Sequence, residues 1–266
     1  MSRELYRIAP RSGAAGDEIV CTVRGGVAEL SLNRPSRRNA ISEPMFVRLR
    51  DIVCALGKDE STRLVVLRST TPGSFCAGAD IGTMADPRPA EIERQFTLLI
   101  ECVDAFRDAP MPIVAVVDGD CLGAGCALAA AADIVVAHEA ARFALPEVFL
   151  GIAPVLAMSA LVPVVAPRSL VYWSATGRWI SPSEAREGGL VTLVLPADEF
   201  EAGVAGLIRE VTSIEPAAQR HLKRAAAILA TLPTERAGAL LMTEMIATAS
   251  HPAARTAIER FLSRKK

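Results

Sequence analysis

Phe75-Cys76-Ala77-Gly78-Ala79-Asp80 and Gly119-Asp120-Cys121-Leu122-Gly123-Ala124-Gly125 are the two stretches whose reading decides the fold. Each follows a short, continuous apolar run, Arg63–Ser69 (RLVVLRS) and Ile113–Val117 (IVAVV). Such runs are expected of strands buried on both faces. The residues after each strand are small, so the backbone can approach a ligand closely. The second stretch leads into a predicted helix, Cys126–Ala132, and free N–H groups at a helix start favour negative charge. Two such loops on neighbouring strands can aim two N–H donors at one carbonyl oxygen. That arrangement is an oxyanion hole, in which each donor is worth roughly 2.7–4 kcal/mol in the transition state. Either loop alone reads equally well as a packing turn. Nucleotide readings fail on spacing. The glycines at 119, 123 and 125 give G-x-x-x-G-x-G where a dinucleotide fold needs G-x-G-x-x-G, and no Gly-Lys-Ser/Thr follows.

Working outward, Glu18–Val23 and Val27–Leu32 alternate on either side of Gly25-Gly26, a hairpin signal. Ser42 reads as an N-cap for a helix running to about Leu56, with Glu43 and Pro44 in its first turn. A second helix is predicted from about Pro89 to Asp108, a strand over Asp133–Ala137 and another over Val191–Leu195. The repeated strand–helix alternation argues an α/β fold built from ββα or βα units. Residues 197–266 read instead as amphipathic helices broken at Pro216, Pro233 and Pro252. Having no sheet of their own to cover, they must pack on the α/β body or on another subunit. The expected organisation is a disordered tail over 1–16, a ligand-binding body over 17–196 and a helical region over 197–266.

The 266 residues can bury a substantial core, and a composition of 51% hydrophobic and 22% charged residues is that of a soluble globular protein. A net charge of −1 gives no reason to expect nucleic acid or an anionic membrane as a partner. The six cysteines are scattered without a metal-ligand repeat and read as reduced, intracellular thiols. His138, His221 and His251 have no metal-ligand spacing, so no metal is expected. No apolar run is long enough to span a bilayer. The first sixteen residues lack the apolar segment of a secretory signal, and a polar tail fits them better than a mitochondrial presequence. The expected location is the cytoplasm.

Further motifs then make a resemblance specific. Leu32-Asn33-Arg34-Pro35 followed by Asn39-Ala40 is similar to the L-N-R-P-x-x-x-N-A signature of the enoyl-CoA hydratase/isomerase (crotonase) superfamily. Phe75–Asp80 resembles its F-x-A-G-A-D loop, and Asp118–Asp133 its N-G-x-x-x-G-G-G-x-E-L-A…D segment. Phe143–Pro154 (FALPEVFLGIAP) resembles F-x-x-P-E-x-x-x-G-x-x-P, and Arg178–Val191 resembles G-x-x-I-x-A-x-E-A-x-x-x-G-L-V. The motifs stand in order from about residue 18 to 195. The resemblance implies a spiral of ββα repeats with a C-terminal helical oligomerisation region, assembled as a homotrimer or a dimer of trimers. It implies an acyl-CoA thioester substrate whose oxygen is held by the N–H groups of Ala79 and Ala124. Ala77, Asp80, Ile81 and Gly123 would line the CoA site, and Arg37 or Arg38 would lie near its phosphates. For those arginines a solvated-loop reading stands beside the functional one. No cofactor is implied beyond the coenzyme A of the substrate.

Glu147, in the Pro-Glu pair, matches a catalytic glutamate of the resembled family. Among Leu145, Pro146, Val148 and Phe149 it is expected to be partly desolvated, which moves a carboxyl pKa toward the working pH of a general acid or base. On local sequence alone, a helix-start glutamate stabilised by the dipole is an equal reading. The family's second glutamate aligns with Ala127, and alanine can neither orient water nor exchange a proton. Isomerase-type chemistry through one acid/base is therefore expected over efficient hydration, unless Asp120 substitutes. Thioester hydrolysis, decarboxylation and acyl-CoA binding without turnover are the alternatives. After Gly151 the chain departs from the family's P-G-x-G-G-T turn. Pro154-Val155-Leu156-Ala157-Met158 offers an apolar wall, read either as a hydrocarbon acyl pocket or as core.

Overall fold

The computed structural model describes residues 17–80 and 88–263. The expected N-terminal tail and Ile81 lie outside the described residues. Nine strands and ten helices follow among them. In chain order they are β1 (Ile19–Arg24), β2 (Val27–Leu32), α1 (Glu43–Lys58), β3 (Leu64–Ser69), β4 (Ser74–Cys76), α2 (Pro89–Asp108), β5 (Ile113–Val117), β6 (Asp120–Leu122), α3 (Ala124–Ala131), β7 (Ile134–His138) and β8 (Arg142–Ala144). A 3-10 turn at Pro146–Leu150 precedes α4 (Val155–Leu161), α5 (Pro167–Thr176), α6 (Pro182–Glu187) and β9 (Leu193–Leu195). The chain ends in α7 (Phe200–Ser213), α8 (Pro216–Thr231), α9 (Thr234–Ser250) and α10 (Pro252–Ser263).

The strands form two sheets. A six-stranded sheet has the order β1-β2-β3-β5-β7-β9, parallel except for the β1–β2 hairpin. A three-stranded parallel sheet has the order β4-β6-β8. Each repeat thus sends one strand to the large sheet and the next to the small one. The glycine-rich stretches expected to be loops therefore contain the short strands β4 and β6. Three residues are too few to carry an alternation signal, and these strands exist because their neighbours complete the ladder.

The continuous apolar runs have the predicted cause. Val65, Leu67, Ala115 and Val117 face one core, shared with α1, α2 and α3. Leu64, Val66, Val114 and Val116 point the other way, where Phe200 and Val204 of α7 cover them. Side chains alternate across a strand, so a sheet covered on both sides needs apolar residues at every position. The C-terminal segment breaks near the three predicted prolines. Its first helix packs on the sheet, and α8 is tied down by Lys223, whose Nζ donates to Phe106 O (2.9 Å) and Met111 O (3.2 Å) and pairs with Asp133 (2.8 Å).

Two further details differ from the sequence reading. Ser42 occupies the cap position of α1 but makes no capping bond; its hydroxyl instead donates to Glu18 Oε2 at 3.2 Å. Helix α3 begins at Ala124, two residues earlier than expected, which makes Ala124 its first residue.

Candidate active site

The Asn39 motif and the loop after β4 form one unit. Asn39, fully buried with φ of 58°, donates from Nδ2 to Ser69 Oγ (2.7 Å) and Phe75 O (3.1 Å), and its Oδ1 accepts from the Arg34 N–H (2.7 Å). Ala77 N–H donates to Arg38 O, Ile41 N–H to Gly78 O, and Asp80 N–H to Ile41 O. The last two bonds flank a parallel bridge between Ile41 and Ala79. In such a bridge the flanked residue turns its own N–H and C=O to the opposite side. The Ala79 N–H therefore points away from the segment that pins the loop.

The other loop supplies a second donor. As the first residue of α3, Ala124 has no intrahelical acceptor for its N–H. The preceding Gly123, at φ of 48°, donates to Ala144 O at 3.0 Å and so fixes the helix start against β8. The two loops are in backbone contact: a Cβ on Gly119 would stand 2.2 Å from the Gly73 carbonyl carbon. Among the described residues neither Ala79 nor Ala124 uses its N–H in a backbone hydrogen bond.

Both alanines line a single cavity of about 180 Å³. Its walls are Ala77, Gly78 and Ala79 on one side, Gly123, Ala124, Pro146 and Glu147 on another, and Phe46, Gln95 and Leu99 from α1 and α2. Leu150, Ile152, Ala153, Pro154 and Leu156 also line it. The Glu147 carboxylate leans on the backbone of Gly123, where a Cβ would meet Oε1 at 2.5 Å. Its Oε2 is cut off from solvent and has no hydrogen-bond partner among the described residues. Burial pushes the Glu147 carboxyl above its ordinary range, against a smaller opposing effect of its own backbone N–H.

Besides Glu147, the site residues expected from the sequence that border the cavity are Ala77, Ala79, Gly123 and Ala124, joined by Pro154 and Leu156 of the apolar wall. Among the described residues, Arg37, Arg38 and Asp80 do not line it. Asp80 was expected to line the site, but its carboxylate is turned to Arg34 (2.7 Å), locking the loop onto the L-N-R-P turn. Arg38 donates to Asp120 (2.8 Å), and Arg37 is exposed on the 3-10 turn at Pro35–Arg37. Asp120 accepts from Arg142 as well (2.9 Å), so two guanidinium groups hold it away from the cavity. Ala127 is fully buried in the core. Among the described residues, no cluster of three His, Cys, Asp or Glu side chains is placed to hold a metal.

Sequence reasoning missed Phe46, Gln95, Leu99, Leu150 and Ile152. Phe46 and Leu99 repeat with the core-facing period of their helices, and periodicity cannot separate a pocket wall from the core.

The model of the enoyl-CoA hydratase/isomerase family matches residues 22–266. The chain belongs to the enoyl-CoA hydratase/isomerase family. Among curated relatives, the Arabidopsis thaliana protein named probable enoyl-CoA hydratase 2, mitochondrial, is 31% identical, over 83% of this chain and 73% of that protein. The mouse mitochondrial methylglutaconyl-CoA hydratase is 33% identical, over 75% of this chain and 65% of its own length. The crystal structure of an enoyl-CoA hydratase from Mycobacterium smegmatis superposes with a TM-score of 0.88 at 29% identity, covering 93% of this chain and 96% of that one. One from Geobacillus kaustophilus gives 0.86 at 28% identity, with 94% and 96% covered. As a family member the chain is an acyl-CoA enzyme of the mixed α/β crotonase fold, with a C-terminal helical region.

Proposed function

We propose that this enzyme moves a proton between carbons of an enoyl-CoA thioester, with Glu147 as its single acid/base and the N–H groups of Ala79 and Ala124 as its oxyanion hole. The observation that carries the reading is that Glu147 is the one carboxylate lining the cavity among the described residues. The position aligned with the family's second glutamate is the buried Ala127, and Asp120 is held by Arg38 and Arg142. Hydration across a double bond needs a water oriented and deprotonated while a second proton is delivered. One carboxylate suffices to carry a single proton from one carbon to another.

The Glu147 carboxylate removes a proton from C2 of a 3-enoyl thioester. The C2–H electron pair becomes the C1–C2 double bond of a dienolate, whose oxygen gains the negative charge and accepts from Ala79 and Ala124. Glu147 returns its proton to C4, the double bond settles between C2 and C3, and the carboxylate is regenerated. A carboxyl raised by burial is suited to both halves of this transfer. The two donors stabilise charge only as it forms, which is the condition for acceleration.

The test is incubation with 3-hexenoyl-CoA and, separately, with crotonyl-CoA, following the absorbance of the conjugated thioester. Gain of conjugation from the first with little loss from the second is the expected outcome. Rapid hydration of crotonyl-CoA with no isomerisation overturns the reading.

Assembly through the C-terminal helices belongs to the same proposal. Leu240, Met242, Met245 and Ile246 of α9 and Ile258, Phe261 and Leu262 of α10 are about half exposed or more. Apolar faces of this extent favour burial between copies, as a trimer or a dimer of trimers.

A further inference from the structure

The cavity also bounds the substrate, and this rests on the acyl-CoA reading above. Its depth can be read from exposure. Leu150 and Ile152 are 59% and 48% exposed and mark the mouth, whereas Phe46 and Leu99 are 3% and 1% exposed and form the floor. Leu156, half-buried on α4, completes the lining; α4 packs against both α2 and α3. Of the apolar run Val155–Met158, Leu156 alone lines the cavity. Val155 is exposed, and Ala157 and Met158 pack with the core.

An apolar cavity of about 150 Å³ holds benzene, six carbon atoms. On that scale about 180 Å³ takes roughly seven non-hydrogen atoms: the thioester oxygen and an acyl chain of about six carbons. Apart from Glu147, Gln95 and backbone polar groups, the described residues of the lining offer only carbon. We infer that the enzyme takes short, uncharged acyl groups of about six carbons or fewer, and that Leu156 sets the limit. A longer chain has to displace Leu156 or leave carbons at the solvated mouth. A carboxylate on the chain would be buried beside Glu147 with no cation among the described lining residues to balance it.

The experiment is calorimetric titration of the full-length protein with saturated straight-chain acyl-CoAs from acetyl to dodecanoyl, with free coenzyme A as reference. Saturated thioesters cannot be isomerised, so binding is read without turnover. The dissociation constant should fall about fourfold per carbon while each methylene is buried, with the gain ending near hexanoyl-CoA. Leu156→Ala removes three carbon atoms from the lining and should extend the gain by about two or three carbons. Leu156→Phe should end it earlier, near butyryl-CoA. A thermal melt of each variant shows that it is folded, and two variants moving the break in opposite directions cannot arise from general destabilisation. Continued tightening to dodecanoyl-CoA in the wild type, or a break unmoved by both variants, overturns the inference and leaves the acyl-CoA reading standing. If no thioester binds the folded protein, that reading falls and this inference with it.

Discussion

Glu147→Gln separates the chemical from the structural role of the residue in one variant. Glutamine has nearly the shape of glutamate, so it fits against Gly123, where Oε1 lies within 2.5 Å of a would-be Cβ. It cannot carry a proton. Loss of acid/base catalysis costs at least ~10²-fold in kcat, about 2.7 kcal/mol of barrier at 1.36 kcal/mol per decade. Stability should move the other way. Burial raises the Glu147 pKa in the folded state above its ordinary value of 4.5. A carboxyl raised in this way favours the folded state fully below pH 4.5, and that contribution is lost as pH rises through the folded pKa. Above that window the wild type keeps a desolvated charge that the amide lacks. The variant should therefore melt at the same temperature as the wild type in acid and at a higher one at pH 7. The assay pairs calorimetric melts at pH 4 and pH 7 with isomerase rates across the same range. The wild-type rate should rise with pH through the raised pKa, because removal of the C2 proton needs the carboxylate. Full turnover by the variant, or a stability gain independent of pH, refutes the reasoning.

Three further outcomes follow from the same geometry. Ala127 lies three residues after Ala124 on α3, so it shares a helix face with a cavity wall. Ala127→Glu should add measurable hydration of crotonyl-CoA, at a stability cost of ~1–3 kcal/mol for overfilling a fully buried site; stability without any hydration would show that the new carboxylate misses the cavity. Lys223→Met removes a cation that is one-tenth exposed and satisfies Asp133, Phe106 O and Met111 O. Urea denaturation should show a loss of about 1.5–3 kcal/mol, and an unchanged midpoint would mean that α8 is held by apolar contacts alone. Sedimentation equilibrium of the full chain should give a trimer or a multiple of it, and a stable monomer would contradict the assembly drawn from α9 and α10.

The sequence alone determined where the six strands of the large sheet lie along the chain and the positions of the two loops. Those features depend on local physics: apolar runs at Arg63–Ser69 and Ile113–Val117, glycines where the backbone needs positive φ, and prolines that break helices at 216, 233 and 252. The residues from which the proposed oxyanion hole and acid/base are drawn could also be picked out, because the motifs stood in order along the chain. What only the tertiary structure decided is which groups meet. Asp120 and Arg38 are 82 residues apart, and nothing in either neighbourhood shows that the arginine takes the carboxylate out of contention. The strands β4 and β6 exist only through their partners. Among the described residues, Phe46, Leu99 and Leu156, on three separate helices, meet around one cavity. Periodicity specifies which face of an element is apolar, while the facing element is set by long-range packing. A side chain reads the same in sequence whether it abuts another side chain or an empty space of ligand size.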